Sequence, residues 1–318
     1  MSASFRSCST RSCSRRRDAG FVLIVVIWIA ALFALVTVGF VRAAQTHVRS
    51  ATILLQSTRA ELLADSGLTL ALLDLIETKA KANRRARFPP DNAVVVCSAG
   101  GDDRLAIRVQ DAAGRINLNL AGDRLLQAFF VGLGASRPVA DRLADAIIDF
   151  RDADNDRRVA GAELPEYLAA GRAFGPKNAP FDSLEELHQV LGLDTGTIDA
   201  MLPYVTLQSR TGGLDPRFTT PQLAELLARG AEQLSARQST GLSDGRLPAE
   251  FFAASTQRIY IASATARLVS GATYVRDAVV ELPASRTKAP ALLTWKRGNQ
   301  APDGLAGVGD VQQLPACW

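Results

Sequence analysis

The segment from Asp149 to Glu163, DFRDADNDRRVAGAE, gathers five carboxylates into fifteen residues. Carboxylates crowded into one turn repel one another unless a cation neutralises them. A hard divalent ion such as calcium suits them, because it seeks about six to eight oxygen ligands. Against the EF-hand loop pattern, Asp152, Asp154 and Asp156 take the first, third and fifth positions and Glu163 takes the last. Val159 supplies the apolar residue usual late in such loops, and Asp149 adds a further carboxylate upstream. Arg157 stands where the pattern needs glycine and Pro165 follows closely, so the spacing predicts a calcium site of looser geometry rather than an EF-hand. A solvated acidic turn balanced by Arg151, Arg157 and Arg158 is the competing reading.

Little else in the chain suggests reactivity. There are two histidines, His47 and His188, and no Gly-rich phosphate loop, HExxH, CxxC or nucleophile elbow. The composition predicts a protein that is not an enzyme.

The elements around the acidic segment read as helices. Leu120–Leu133 closes on a Gly-Leu-Gly turn, and a second helix starts at Ser136 and runs to about Phe150. FDSLEELHQVLGLDTGTIDAMLPYVTL repeats the outline, with Asp182 or Ser183 as cap, a turn at Gly192 and an end near Pro203. Paired helix, glycine turn, helix units resemble the helix-hairpin-helix fold of many DNA-binding modules. Phosphate binding depends on nearby Lys and Arg. Residues 121–210 instead carry nine basic and fourteen acidic residues, a net of −5, which argues against nucleic acid.

At the other end, Phe21–Val41 contains no charge over 21 residues, which at about 1.5 Å per residue spans roughly a 30 Å hydrocarbon core. Arg6, Arg11, Arg15, Arg16 and Arg17 precede it and favour a cytoplasmic N-terminus, with the bulk across the inner membrane. Residues 1–20 hold five Arg and one Asp, the whole formal charge of +4; 31 basic and 31 acidic residues remain. The junction RRRDAG before Phe21 resembles the leader of type IV pilins and pseudopilins. That resemblance implies cleavage after Gly20 by a prepilin peptidase and methylation of the new terminal Phe21. Most such proteins carry Glu five residues into the mature chain, and Val25 stands there instead. A cleaved secretory signal ending near Val41-Arg42-Ala43 and an uncleaved anchor are the other readings.

Apolar spacing from Leu54 to Ile76 predicts one nearly continuous helix from Phe21 to about Lys81, roughly 90 Å long. Pro89 and Pro90 forbid its continuation. Ala93–Cys97 and Arg104–Gln110 read as strands, and so do segments 258–268, 272–283 and 291–297, with one helix at Pro221–Arg229 between the two groups. Cleavage would remove Cys8 and Cys13. Cys97 and Cys317 would remain in an oxidising compartment, as a disulfide or as two buried thiols.

Taken together, AGRINLNLA, ADAIIDFRDADNDRRVAGAE, APFDSLEELHQVLGL and LPYVTLQSRTGGLDP resemble the minor pseudopilin K family of type II secretion, a class that also lacks the early Glu. The likeness runs from Gly20 to about Pro216 and thins beyond. It implies an α+β pseudopilin fold, with a long N-terminal transmembrane helix on a small antiparallel sheet and a large inserted helical domain. The expected divisions are a leader at 1–20, the long helix at 21–88 with its membrane half at 21–41, and the first part of the sheet at 89–120. The helical insertion then takes 121–250 and the rest of the sheet 251–318. The resemblance further implies bound calcium at the acidic loop and minor pseudopilins I and J as partners. The role it implies is capping or initiating a periplasmic pseudopilus that helps export folded proteins. A membrane-anchored DNA-binding protein of the competence type is the alternative.

Overall fold

The computed structural model describes residues 18–81, 84–235, 247–285, 288–298 and 314–317. Residues 1–17, and with them Cys8, Cys13 and the arginine-rich part of the expected leader, lie outside these.

Helix α1 (Asp18–Ala80) runs unbroken for 63 residues. It contributes to two units, residues 1–58 and residues 59–318. In the first unit its apolar run is bare: Phe21, Trp28, Leu35 and Phe40 are each more than two-thirds exposed. A helix that is apolar all round, with no protein partner for its side chains, matches a lipid environment.

In the second unit the last turns of α1 bury one face, made of Ala60, Ala64, Leu68, Ala71 and Leu75. Alanines on this face let the helix approach closely. Gly67 adds to this close approach, since a Cβ on it would sit 2.6 Å from a methyl carbon of buried Leu105 and force that side chain to shift. Buried Asp74 secures the exit from α1: it accepts the Arg87 and Phe88 N–H groups at 2.8 and 2.9 Å and an Arg84 guanidinium N–H at 3.0 Å.

Two strands follow, β1 (Asp91–Ser98) and β2 (Arg104–Asp111). The chain then leaves for a second core and returns. Two-residue strand β3 (Ile116–Asn117) leads into α2 (Asp123–Gly132), α3 (Arg137–Arg151) and α4 (Leu164–Ala169). Helix α5 (Thr195–Met201), β4 (Val205–Thr206) and α6 (Pro221–Ser235) complete this part. Strands β5 (Ile259–Arg267), β6 (Thr273–Glu281) and β7 (Ala291–Arg297) then rejoin the sheet, whose order is β1-β2-β5-β6-β7 with every pairing antiparallel. A whole helical core is thus spliced between neighbouring strands β2 and β5.

The two cores are separate clusters. Leu105, Ile107, Val109, Tyr260, Ala262 and Ala264 pack with α1, whereas Ile116, Phe129, Phe150, Tyr167 and Phe181 belong to the helical cluster. Phe150 stacks on Phe181 with centroids 4.9 Å apart. Helices α2 and α6 meet through Gly230, where a Cβ would fall 1.8 Å from the Ala128 carbonyl oxygen.

Some local expectations are revised. The helical cluster already includes Ile116, and β3 pairs with β4 in parallel, so Ile116 and Asn117 belong with the insertion. The segment Leu184–Gln189 is a 3-10 helix, not the α-helix expected after Ser183. Its run between Ser183 and Gly192 is short, and few intrahelical bonds hold it. The helix expected at Pro221–Arg229 continues to Ser235.

A polar clasp joins the two crossings between sheet and insertion. Asp111, at the end of β2, accepts the Ala113 N–H at 2.9 Å and the Ser255 hydroxyl at 2.8 Å. Asp215, 2 % exposed, accepts the Ser255 N–H at 2.8 Å and binds the Arg217 guanidinium at 2.7 and 3.0 Å. The Asp215 N–H in turn donates to the Ala113 carbonyl at 2.9 Å.

Candidate metal centre

Helix α3 delivers Asp149 in its last turn and stops at Asp152, whose backbone is extended. The loop then returns so that Glu163 immediately precedes α4, where its own N–H is received by the Glu166 carboxylate at 3.0 Å. This folding brings Asp152, Asp154 and Glu163 together, with ligand oxygens that all lie within 4.8 Å of one another.

Both Glu163 carboxylate oxygens and Asp152 Oδ1 are buried without a hydrogen bond of good geometry, the Glu166 N–H approaching the Glu163 side chain only as a loose capping box. An anionic oxygen in that state is costly unless it is protonated or met by a cation. Burial, reinforced by Asp149 and Asp152, accordingly pushes the Glu163 carboxyl up to about 7. Asp152 is raised by burial and by Asp154.

The arginines that could balance the turn are engaged elsewhere. Arg151 donates to the Leu118 and Ala121 carbonyls. Arg157 lies 3.5 Å from Glu166. Arg158 bonds Asp145 at 2.8 Å and Asp123 at 3.0 Å. Three converging carboxylates, with orphaned buried oxygens and no hydrogen-bonded cation, form a donor set suited to a hard divalent ion.

The remaining sequence candidates fall outside this trio. Asp149 is fully buried and is held by the Arg158 and Ala162 N–H groups; burial, opposed by those bonds, leaves its carboxyl raised to about 6. Gly161 permits this, since a Cβ there would meet Asp149 Oδ2 at 2.0 Å. Asp149 thus braces the loop. Asp156 is exposed, and its N–H donates to Asp154 Oδ1 at 2.9 Å. Val159, expected as the inward apolar residue of an EF-hand-like loop, is 96 % exposed, so the loop follows another path.

One neighbour was invisible to spacing. Asn178 reaches across the loop, donating to the Asp154 carbonyl at 2.7 Å and to Asn155 Oδ1 at 2.9 Å, while its own Oδ1 is buried and unpartnered. It lies 15 residues beyond Glu163, outside any local motif.

The other singled-out residues lie apart from this centre. Gly20, Phe21 and Val25 lie in α1. Cys97 and Cys317 are bonded to each other, with Cα atoms 5.1 Å apart, and tie the end of the chain to β1.

Residues 107–210, from β2 through β4, match the family model described as type II secretion system (T2SS), protein K. The type II secretion system protein K of Pseudomonas aeruginosa is 28% identical over 211 residues, which cover 60% of this chain and 62% of that protein. The alignment thus spans rather less than two thirds of that relative's length. Protein K of Klebsiella pneumoniae is 25% identical over 256 residues, covering 71% of this chain and 77% of its own length. Among solved structures, a chain of the GspK-GspI-GspJ complex from the enterotoxigenic Escherichia coli type 2 secretion system superposes with a TM-score of 0.56. It is 18% identical, and the match covers 80% of this chain and all of that one.

A long apolar helix whose later turns pack on an antiparallel sheet, with a helical domain spliced into that sheet, is an α+β pseudopilin fold. The competence-type DNA-binding alternative finds no support in these relatives. Over residues 107–210 the chain resembles the protein K family of type II secretion systems, and its listed relatives carry that same description.

Proposed function

We propose that the chain is a minor pseudopilin. In this reading Phe21–Val41 lies in the bacterial inner membrane and the remainder lies in the periplasm, after prepilin peptidase has cut between Gly20 and Phe21 and methylated the new terminus. The protein joins minor pseudopilins I and J and caps or initiates the pseudopilus that assists export of folded proteins. Its role is structural, not enzymatic.

The observation that carries this reading is the helical core inserted between β2 and β5. The match to the protein K model falls on that insertion. A repeating filament subunit needs free surfaces above and below it, and a large insertion obstructs one of them. Val25 supports the same role. In most pilins the Glu there meets a neighbour's terminal amine, and an ammonium left alone in lipid is expensive. A terminal subunit has less need of that charge. The solved structural relative is itself described as a complex with GspI and GspJ.

Within this role calcium fits the Asp152, Asp154 and Glu163 trio, on the strength of its orphaned oxygens. Bound there, it would neutralise the loop and hold the end of α3 against the start of α4.

The test is co-purification of the tagged full chain with pseudopilins I and J from membranes, together with secretion from a deletion strain. A stable complex and a secretion defect restored by the wild-type chain are expected. Normal secretion in the deletion strain, with no complex recovered, would overturn the proposal.

A further inference from the structure

The five-stranded sheet has two edges, and the chain treats them differently. At the β1 edge, Ser98 forms a parallel bridge with Ala316; its N–H donates to the Pro315 carbonyl and its carbonyl accepts the Cys317 N–H, both at 2.9 Å. The Cys97–Cys317 bond fastens this cover, and the start of β1 is irregular between Asp91 and Val94. Covering and bulging are the usual ways to stop an edge from pairing with another chain.

Among the described residues, strand β7 has no such cover. It pairs with β6 on one side, and among the described residues no strand lies on the other. Six of its seven residues are exposed, among them Leu292 at 54 %, Leu293 at 41 % and Trp295 at 36 %. The strand is also held firmly in place. The Arg276 guanidinium, gripped by Glu61 and Asp65 at 2.6 Å, sits 5.5 Å from the Trp295 ring. Arg297 lies 5.1 Å from the Tyr274 ring.

Register assigns the two faces. Val280 stands opposite Leu292 and Ala278 opposite Trp295, on the face that packs against α1, whereas Asp277 stands opposite Lys296 on the other. In sequence, the stretch from Leu282 to Gly298 holds Arg286, Lys288, Lys296 and Arg297 and no acidic residue, and Glu281, opposite Ala291, is already paired with Arg210 and Arg258. Asp277 and Glu185 offset Lys296 in part. Lys288 and Arg297 form no ion pair among the described residues.

We propose that β7 is a docking edge for an extended acidic segment of a partner protein, which adds as a sixth strand. Backbone hydrogen bonds along β7 supply the adhesion. Leu292 and Trp295 receive alternate apolar side chains on one face, and the basic groups receive the carboxylates. This inference rests on the sheet alone and stands apart from the secretion reading.

The experiment uses the full chain in detergent micelles and a capped, fluorescein-labelled octapeptide of alternating Glu and Val, followed by anisotropy. Saturable binding is expected, weakened by about tenfold in the Lys296→Glu/Arg297→Glu double variant and reduced by added salt. That variant should instead prefer the matching Lys/Val peptide, an exchange that an unfolded protein would not show. An acidic peptide N-methylated on alternate amides should fail to bind. Equal binding to wild type and double variant, full binding of the methylated peptide, or no binding of the acidic one would each overturn the proposal.

Discussion

Glu163 places two carboxylate oxygens out of water without a well-aligned donor, beside Asp152 and Asp154. If calcium holds this trio, excess metal stabilises the native state by about 2.7 kcal/mol at a hundredfold excess over the dissociation constant. Thermal unfolding of the full chain should therefore move up by several degrees with calcium relative to chelator, and the Glu163→Gln variant should lose that difference. The variant without metal should be no less stable than wild type without metal, since it removes an unmatched buried charge. Identical melting of the wild type in calcium and in chelator would end the calcium reading. The trio was legible because alternate aspartates and a later glutamate form a recognisable spacing. The template also recruited Asp156, which the loop turns to solvent, and it could not reach Asn178, which arrives from a distant segment.

Between elements, the clasp at the β2 and β5 crossings carries a pH dependence. The Arg217 guanidinium holds the Asp215 carboxyl down at about 2, with further help from the Ser255 N–H. An unfolded Asp titrates near 3.9, so the native state favours the ionised form, by about 2 kcal/mol. That contribution is whole above about pH 5 and drains away as the pH falls through about 4 towards 2. Asp215→Asn should thus destabilise strongly at pH 7 and much less at pH 2.5, as read by denaturant titration. A gap unchanged with pH would show that Asp215 acts through packing alone. A second staple closes a far longer loop, Cys97 to Cys317 across 220 residues. The Cys97→Ser/Cys317→Ser variant should lose about 2–5 kcal/mol of stability, measured in the same way. Periodicity disclosed α1 and the strand meander, because long apolar patterns outweigh local noise. It could not disclose the β3–β4 pair, two residues each, or the 3-10 geometry of Leu184–Gln189. Both are decided by the core that receives them.

For the whole molecule, the decisive property is whether the chain enters membranes as a pilin does. The apolar run of α1 and the junction at Gly20 and Phe21 make a sharp expectation for protein purified from membranes that contain a prepilin peptidase. The chain should begin at Phe21 and be heavier by one methyl group, as read by intact mass. A chain that retains Met1, or one that starts near Gln45, would exclude pilin processing and leave the helical insertion on an ordinary anchor or a secreted protein. Under the proposed role, Val25 would separate a cap from a body subunit. Val25→Glu restores the carboxylate that would meet a neighbour's terminal amine within an apolar bundle, where such a pair is worth far more than at a surface. If the insertion between β2 and β5 obstructs stacking, the variant should still fail to form filaments when overproduced alone, as seen by electron microscopy of sheared cells. Long filaments would show that the missing charge, and not the inserted domain, had kept the wild-type chain from repeating.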